Sequence, residues 1–394
     1  MKKIAILGAC RTAIGKFGGT LTGVPAYKLG ATVIENAILR AGITKDMVDE
    51  VIMGCVLQGG LGMNVARQAM LEAGLPVEVP ALTLNNVCGS SLKAVNMAAA
   101  MIQTGQAEIM VVGGMENMSA TGYSLSQARF GYRMNAGELN DMMISDALQD
   151  PFGKYHMGIT AENVAEKYNL TREMQDEFAA GSQQKAAVAL ETGRFKDEIV
   201  PVQVKVKRAE VTFDTDEFPR AGSTPETMAK LRPAFKPDGT VTAGNASGIN
   251  DGAAAVVMMS LERALELGLK PMATIVSGAS AGVDPSIMGV GPAYSTQKAL
   301  DRAELKIEDI DLIEANEAFA SQTLAVAQIL NFNAEIVNVN GGAISLGHPV
   351  GASGCRILVS LIHEMKKRDS KLGLATLCVG GGMGVSTIVE LYKD

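Results

Sequence analysis

The sequence lacks several features by which the class of a protein is often recognised. It contains no tryptophan and only three histidines, and its five cysteines lack the regular spacing of a disulfide framework. No uninterrupted apolar run approaches the roughly 20 residues that span a bilayer, so we expect no contact with a membrane. Acidic residues outnumber basic ones by 42 to 35, and the net charge of −7 argues against a general nucleic-acid-binding protein.

Motifs for metals and nucleotides are missing as well. No cluster of His and Cys has the spacing of metal ligands, so we predict no metal site. Gly8–Lys16 superficially resembles a phosphate-binding loop, but its spacing is too long and Phe17 stands where Ser or Thr is required. Gly380–Gly384 opens no predicted helix and therefore does not make a dinucleotide-binding fingerprint.

The composition is typical of a protein from a reducing compartment, because the number of cysteines is odd and no disulfide pattern is present. Met1–Gly8 begins like the charged region of a signal peptide, but its apolar run is soon interrupted by Arg11, Lys16 and glycines. We interpret this stretch as a first strand and predict a cytoplasmic protein.

Strand and helix patterns alternate along much of the 394-residue chain. Such alternation predicts an α/β fold in which helices cover a mainly parallel sheet. A more polar, turn-rich stretch interrupts the pattern, and similar segments lie on either side of it, such as Ile109–Met115 and Thr376–Met383. We therefore predict two related halves: the first over residues 1–118 and 249–270, an inserted loop domain over 119–248, and the second half over 271–394.

The periodicity also makes local predictions. Residues Arg172–Glu191 follow Thr171, a good capping residue, and form a helical pattern. Ile336–Asn340 has the apolar character of a strand, and Ala352–Lys367 that of a helix. On that helix, His363 is interpreted as a surface residue because charged side chains surround it.

Cys88 lies at the most informative position in the sequence. An alternating strand pattern ends near Asn85, and a helical pattern through Leu92, Val95 and Ala99 follows. Free backbone N–H groups and the positive end of the helix dipole favour an anion at such a junction. Because a helix N-terminus is a recognised means of lowering a thiol pKa, Cys88 is a candidate nucleophile. The plainer alternative is a small buried side chain.

Three other residues are candidates for the same site. His348 lies in a glycine-rich stretch directly before a helical pattern, and Cys378 and Asn316 each lie at the end of a predicted strand. Open α/β sheets bind ligands beyond the carboxyl ends of their strands, where we expect all four residues to lie. The alternatives are a capping histidine and a buried core thiol.

Five stretches carry a resemblance to the thiolase family, and within it to the biosynthetic acetyl-CoA acetyltransferases. The three most specific are Asn85-Asn-Val-Cys-Gly-Ser-Ser-Leu92, Asn340-Gly-Gly-Ala-Ile-Ser-Leu-Gly-His-Pro-Val-Gly-Ala-Ser-Gly354 and Cys378-Val-Gly-Gly-Gly-Met-Gly384. Asn316-Glu-Ala-Phe319 and Arg11-Thr-Ala-Ile-Gly15 extend the match over nearly the whole chain.

Two positions depart from the family pattern without altering a reacting group: Asn86 stands where Lys is common, and Ser91 where many members have Gly. The resemblance implies a fold of duplicated mixed-sheet halves packed in layers. It also implies a homotetramer assembled as a dimer of dimers.

The resemblance further implies a reaction: two acetyl-CoA condense to acetoacetyl-CoA and coenzyme A (CoA), and thiolysis reverses it, with no cofactor. Cys88 would carry the acyl group, His348 would accept its proton, and Cys378 would be the acid and base of the condensation. Backbone N–H groups of Cys88 and Gly380 would form one oxyanion hole, and His348 with a water held by Asn316 the other. Residues matching CoA contacts of the family are Leu148, His156, Met157, Arg220, Phe235, Ala243, Ser247, Met288, Ala318 and Phe319.

Two alternatives remain beside this hypothesis. A ketoacyl-carrier-protein synthase or hydroxymethylglutaryl-type synthase shares the superfamily but lacks a second cysteine at the position of Cys378. A non-catalytic acyl-CoA-binding protein would be expected to have lost Cys88, His348 or Cys378, and this sequence retains all three.

Overall fold

The computed structural model describes residues 2–206 and 208–393. Its strands are β1 (Ile4–Thr12), β2 (Gly15–Lys16), β3 (Glu50–Gly54), β4 (Ala81–Leu84), β5 (Ile109–Asn117), β6 (Tyr123–Ser124), β7 (Asn140–Asp141), β8 (Ile199–Val200), β9 (Val202–Val206), β10 (Ala209–Phe213), β11 (Asn250–Ser260), β12 (Ala273–Gly282), β13 (Leu312–Ala315), β14 (Leu372–Val379) and β15 (Met383–Leu391).

The α-helices of the described residues are α1 (Ala26–Ala41), α2 (Val65–Glu72), α3 (Ser90–Gln103), α4 (Met157–Lys167), α5 (Arg172–Glu191), α6 (Pro225–Met228), α7 (Leu261–Glu266), α8 (Gly291–Ala303), α9 (Ala320–Leu330), α10 (Ala343–Leu346) and α11 (Ser353–Arg368). None of these helices is long and apolar enough to cross a membrane.

One mixed sheet organises the molecule, with the strand order β13-β14-β15-β12-β1-β11-β5-β3-β4. Along this order, parallel pairing occurs at the two ends, between β3 and β4, β3 and β5, and β13 and β14, and the two-residue β8 also pairs in parallel with β1. The centre is antiparallel, because β1 pairs with both β11 and β12, and β15 pairs with both β12 and β14. The prediction of a mainly parallel sheet was therefore wrong. Apolar periodicity reports burial on the two faces of a strand and carries no information about its direction.

The two ends of the sheet repeat one arrangement. The order β1-β11-β5-β3 in the first half corresponds to β12-β15-β14-β13 in the second. A matching carboxylate lies before the fourth strand of each path and accepts from the start of the third: Asp49 accepts from the backbone N–H groups of Glu108 and Ile109, and Asp311 from those of Lys371 and Leu372, all at 2.7–2.9 Å. Mixed α/β halves with the predicted internal duplication are thus confirmed.

Helices α3 and α11 form the central layer of the fold. Their apolar side chains share one buried core with side chains from both halves of the sheet, including Leu92, Leu361, Val112 and Val389. Helices α1 and α2 cover the opposite face of the first half, where Leu29 and Met70 are buried. Helix α8 covers the second half and buries Ala299 and Leu300 against it. Leu92, Val95 and Ala99, the periodic positions found in the sequence, all belong to the core shared by α3 and α11.

The stretch between β5 and β11 contains α4, α5, α6 and five short strands. Helix α4 packs on α9 and on the 3-10 turn Pro285–Val290, and α5 packs on α9 and α10. These contacts place the turn-rich stretch over the second half of the sheet. Helix α5 has the bounds predicted from the sequence, and the Thr171 side chain accepts from the Met174 N–H at 3.3 Å as its cap.

Two local predictions were wrong. Residues 336–340 do not form a strand: Ala334–Ile336 is a 3-10 turn, and Val337 makes only an isolated bridge to Ile313. Asn338, in the middle of the predicted strand, has a φ of 44°, a left-handed conformation through which a strand does not continue. His363 is buried, with its Nε2 3.1 Å from the Ala9 carbonyl oxygen, because α11 lies between sheet halves and has little exposed surface.

Candidate active site

A pocket of about 410 Å³ lies where both halves of the sheet and the inserted stretch meet. It is lined by three of the predicted reacting positions, Cys88, His348 and Gly380. It is also lined by all ten of the predicted CoA contacts: Leu148, His156, Met157, Arg220, Phe235, Ala243, Ser247, Met288, Ala318 and Phe319. Residues separated by up to 292 positions along the chain are therefore brought to one cavity.

The turn that presents Cys88 is locally strained. Val87 has a φ of 47°, an uncommon conformation for a β-branched residue. Side chains hold this turn: Asn85 Oδ1 accepts from the Val87 N–H at 2.9 Å, and the Ser90 hydroxyl bonds the Asn86 N–H at 2.8 Å and the Val87 carbonyl at 2.6 Å. Strand β4 thus ends in a sharp bend, and Cys88 is fixed at the pocket wall.

The resting Cys88 side chain is a thiol. Burial raises its pKa to about 11, although hydrogen bonds from the Gly380 N–H and its own N–H lower it. The sequence led us to expect a lowered pKa from the helix N-terminus. Helix α3 begins two residues later, and desolvation outweighs its contribution at a side chain only 9% exposed. Attack by Cys88 therefore requires a base that removes the proton as the new bond forms.

His348 is arranged as such a base. Its Nδ1 lies 2.6 Å from the Ser353 hydroxyl, which itself donates to the Pro349 carbonyl at 2.9 Å. Ser353 must then accept from an Nδ1–H, and the proton-free Nε2 is left with its lone pair available. Among the described residues this Nε2 is buried without a hydrogen-bond partner. Burial, together with Arg356, lowers the pKa of His348 to about 3, so the imidazole is neutral.

Asn316 also presents unpaired polar atoms. Its side chain is 1% exposed, and neither amide atom has a hydrogen-bond partner within the described part of the chain. The following Glu317 is held by Asn338 at 2.8 Å and by Ser182 at 2.7 Å, which fixes this corner after β13. A buried amide of this kind is suited to bind a water or a carbonyl oxygen.

Cys378 lies beside the pocket without lining it. It is fully buried in an apolar cluster with Met157, Met288 and Phe319. Burial raises the pKa of its thiol, and the neighbouring Cys88 raises it further. The two cysteines are thus close enough to interact electrostatically. The glycine turn after β14, with φ of 82° and 87° at Gly381 and Gly382, brings the backbone back towards Cys88.

The inserted stretch supplies aromatic walls. The rings of His156 and Phe235 stack at 4.5 Å, and Phe235 meets Phe319 edge to face at 6.3 Å. His156 Nδ1 also accepts from the Gly158 N–H at 3.0 Å and caps α4. The exposed Arg220 lies over the Phe218 ring at 5.6 Å. This part of the pocket combines flat apolar surfaces with a cation near solvent.

Sequence reasoning missed ten residues that line the pocket. They are Phe17, Met118, Ala147, Phe218, Ala234, Thr242, Ala246, Gly248, Ile249 and Val350. The signal was weak, since small and apolar residues in loops do not differ from core residues in a sequence. Phe17, 55% exposed, and Phe218 were recognisable only as aromatics near candidate positions. Within the described residues, no group of three or more His, Cys, Asp and Glu side chains could hold a metal ion.

Comparison with known proteins identifies the family. The thiolase N-terminal domain matches residues 4–262, and the thiolase C-terminal domain matches residues 269–391. An acetyl-CoA acetyltransferase from Syntrophomonas wolfei is 60% identical over 99% of both chains. The crystal structure of the Bacillus anthracis acetyl-CoA acetyltransferase is 48% identical with a TM-score of 0.98, covering 100% of this chain and 99% of that one. The human mitochondrial 3-ketoacyl-CoA thiolase is 40% identical with a TM-score of 0.96 and the same coverage. The chain therefore belongs to the thiolase family.

Proposed function

We propose that this protein is an acetyl-CoA C-acetyltransferase, which condenses two acetyl-CoA to acetoacetyl-CoA and CoA and catalyses the reverse thiolysis. The observation that carries the proposal is one pocket shared by Cys88, a neutral His348 with a free Nε2, and the Gly380 turn. The comparison that supports the proposal is the 60% identity to the acetyl-CoA acetyltransferase of Syntrophomonas wolfei.

In the first half-reaction, the Cys88 sulfur attacks the thioester carbonyl of acetyl-CoA. His348 Nε2 takes the thiol proton as the carbon–sulfur bond forms, and then gives it to the departing CoA thiolate. The negative oxygen of the tetrahedral intermediate is stabilised by the N–H groups of Cys88 and Gly380. Gly380 lines the pocket with Cys88, and a hydrogen bond from its N–H lowers the pKa of the Cys88 thiol.

In the second half-reaction, Cys378 first gives its thiol proton to His348 Nε2 and then, as a thiolate, removes a proton from the methyl group of another acetyl-CoA. The resulting carbanion attacks the acetyl carbonyl on Cys88, and acetoacetyl-CoA leaves as the Cys88 sulfur is released and takes the proton from His348. His348 and a water held by Asn316 stabilise the enolate oxygen. Once protonated, His348 Nε2 donates to that oxygen. Neither Nε2 nor the Asn316 amide has another hydrogen-bond partner among the described residues, which supports this role.

Coenzyme A would occupy the part of the pocket built by the inserted stretch. Arg220 contributes a positive charge for the nucleotide end, and Met157 and Phe235 provide apolar walls for the pantetheine or acyl group. The remaining predicted contacts complete this wall. Because the substrates are activated thioesters, the steps above use only side chains and backbone of this chain and one water, and we propose that no cofactor takes part.

We further propose a homotetramer assembled as a dimer of dimers. Phe130 and Met134, on the segment that contains β6 and β7, are 87% and 85% exposed. Large apolar side chains so exposed are typical of interaction surfaces. Strand β4 lies at a free edge of the sheet and offers a second surface. Light scattering should give a mass about four times the 41.2 kDa of the chain.

We also propose a cytoplasmic location, where reducing conditions keep Cys88 and Cys378 as thiols.

The reaction is tested with acetoacetyl-CoA and CoA, by following the loss of acetoacetyl-CoA. A protein with the proposed function consumes it and forms two acetyl-CoA. Incubation with acetyl-CoA alone, followed by peptide mass spectrometry, should place one acetyl group on Cys88. Absence of turnover would refute the function, and an acetyl group on Cys378 with Cys88 bare would refute the assignment of the nucleophile.

A further inference from the structure

Glu116 is a buried carboxylate that the reaction above does not use. It lies on β5, is fully buried, and is not paired with a cation in any ion pair of the described residues. A buried charge without a partner is unfavourable unless hydrogen bonds compensate it. Burial raises the pKa of Glu116, and hydrogen bonds from the N–H groups of Val56, Leu57 and Gly351 lower it. All three of these backbone groups donate to the carboxylate, which favours its ionised form.

These three donors come from two separate parts of the fold. Val56 and Leu57, each 3.0 Å from a Glu116 oxygen, follow β3 in the first half of the sheet. The Gly351 N–H, at 2.8 Å, comes from the segment between His348 and α11 in the second half. The Cys55 thiol donates to the same carboxylate at 3.6 Å. Glu116 therefore joins the His348 segment to the strands of the other half.

The surroundings of Gly351 are built to accept this segment in one position. A Cβ on Gly54 or Gly114 would lie 2.7 or 2.2 Å from the Gly351 carbonyl oxygen. A Cβ on Gly351 itself would lie 2.5 Å from Glu116 Oε2 and 3.0 Å from the Cys55 Cα. Glycine within a strand weakens it, so two such residues at one contact indicate a close approach that the fold requires. The close contacts of Gly54 and Gly114 with Gly351, and the hydrogen bond from Gly351 to Glu116, constrain the segment from different sides.

This contact is close in sequence to the reacting groups. Val350 and His348 line the pocket with Cys88, and Ser353, two residues beyond Gly351, holds His348 Nδ1. A shift of the Gly351 segment would move both the imidazole and its hydroxyl partner relative to Cys88. We propose that Glu116 is a positioning residue for the reaction. It holds His348, which belongs to the second half of the sheet, in place against Cys88, which belongs to the first half. This inference rests on the proposed function.

The test compares Glu116→Gln with wild type in the thiolysis assay. Glutamine keeps the shape of the side chain, but its NH₂ group faces backbone N–H donors and cannot accept from them. We expect kcat to fall about 10- to 100-fold, because displacements of about 1 Å have such effects on catalysis. The KM for CoA should change less than about twofold, since Arg220 and Phe235 lie on another segment. CoA should also still raise the thermal midpoint of the variant.

Glu162→Gln is the matched control. Glu162 is 6% exposed and accepts from the N–H groups of Thr240, at 2.9 and 3.0 Å, and Val241, at 2.9 Å, but none of its partners lies near His348 in the sequence. The Glu162→Gln variant should lower the thermal midpoint about as much as Glu116→Gln does, while its kcat stays within about twofold of the wild-type value. Gly351→Ala should reproduce the loss of kcat, because it displaces the same segment with Glu116 intact.

A Glu116→Gln protein with wild-type kcat, or one in which only KM rises, would overturn the proposal. A fall in kcat equal to that of the Glu162→Gln control would also overturn it, since it would report general destabilisation. If Glu116→Gln is not recovered folded, Glu116→Asp, whose carboxylate is one methylene too short to reach all three donors, is judged by the same criteria. Turnover by the wild-type protein tests the proposed function, whereas the ratios of kcat between the variants and wild type test the role of Glu116. Failure of the proposed function can therefore be distinguished from failure of the Glu116 proposal.

Discussion

The two halves of the sheet share one framework but differ in how their second and third strands are connected. In the second half, β14 and β15 are joined by the short turn of Gly380, Gly381 and Gly382, with left-handed φ at the last two. In the first half, the equivalent strands β5 and β11 are joined by the whole stretch from residue 118 to 249. The short turn brings a backbone N–H to Cys88, and the long connection builds the wall of the pocket.

The central helices of the two halves also start next to different candidate site residues. Helix α3 of the first half begins just after Cys88, and α11 of the second half begins just after His348. Equivalent helix starts of the repeated framework therefore follow different candidate side chains. Since α3 and α11 pack against each other, Cys88 and His348 meet at one pocket in the middle of the molecule.

The largest effect is expected from the first half. Cys88→Ser should lower kcat by about 10⁴-fold or more, because a hydroxyl is a far weaker nucleophile than a thiol or thiolate. The thiolysis assay and peptide mass spectrometry measure it, and no acetyl group should be found at residue 88. Cys10→Ser is the control: this buried thiol donates to the Val33 carbonyl at 3.3 Å, away from the pocket. Equal losses in both variants would contradict the assignment.

The second half is tested through Cys378. Cys378→Ser should lower kcat by about 10²–10⁴-fold, the usual contribution of a general acid or base. Acetylation of Cys88 by acetyl-CoA should persist, because that step needs Cys88 and His348. Exchange of the acetyl-CoA methyl protons with deuterated water, where wild type shows it, should nearly vanish. Unimpaired exchange in the variant would mean that another residue removes the proton and would make Cys378 a core thiol.

The inserted stretch should affect binding more than chemistry. Arg220→Ala is expected to raise the KM for acetoacetyl-CoA about tenfold with little change in kcat, since it removes a charge at the pocket mouth that is equally engaged in ground and transition states. Initial-rate kinetics over a range of substrate concentrations measure this. Lys230→Ala removes an exposed positive charge that does not line the pocket and should leave KM unchanged. A fall in kcat with constant KM would assign Arg220 a role in the chemistry.

The smallest effect tests the shared framework itself. Asp49→Asn and Asp311→Asn should each lower the free energy of unfolding by about 1 kcal/mol, because each weakens a pair of equivalent hydrogen bonds to the backbone. Chemical denaturation measures the two losses. Similar values, with kcat unchanged in both, are what a duplicated framework predicts. A loss at only one of the positions would show that the geometric repeat is not matched by an energetic one.

Much of the site was predictable because its residues lie in short, dense motifs. The ten predicted CoA contacts all line the pocket, and the ends of β4, β13 and β14 lie near the predicted positions. The predictions that failed required knowledge of distant neighbours. His363 has the flanks of a surface residue, yet α11 is buried between the two sheet halves. The place of Cys88 in the pocket was predictable from its motif, whereas the direction of its pKa shift was not, because desolvation depends on the whole surrounding fold.

The sequence by itself determined most of the elements, the family and the candidate site residues, since periodicity, capping residues and glycine-rich motifs act over a few neighbouring residues. Only the tertiary structure decided the antiparallel centre of the sheet, the burial of both cysteines and the free Nε2 of His348. It also decided the bond between Glu116 and Gly351, which joins residues 235 positions apart. Contacts at that separation leave no local pattern, because they form only where the two halves pack against each other.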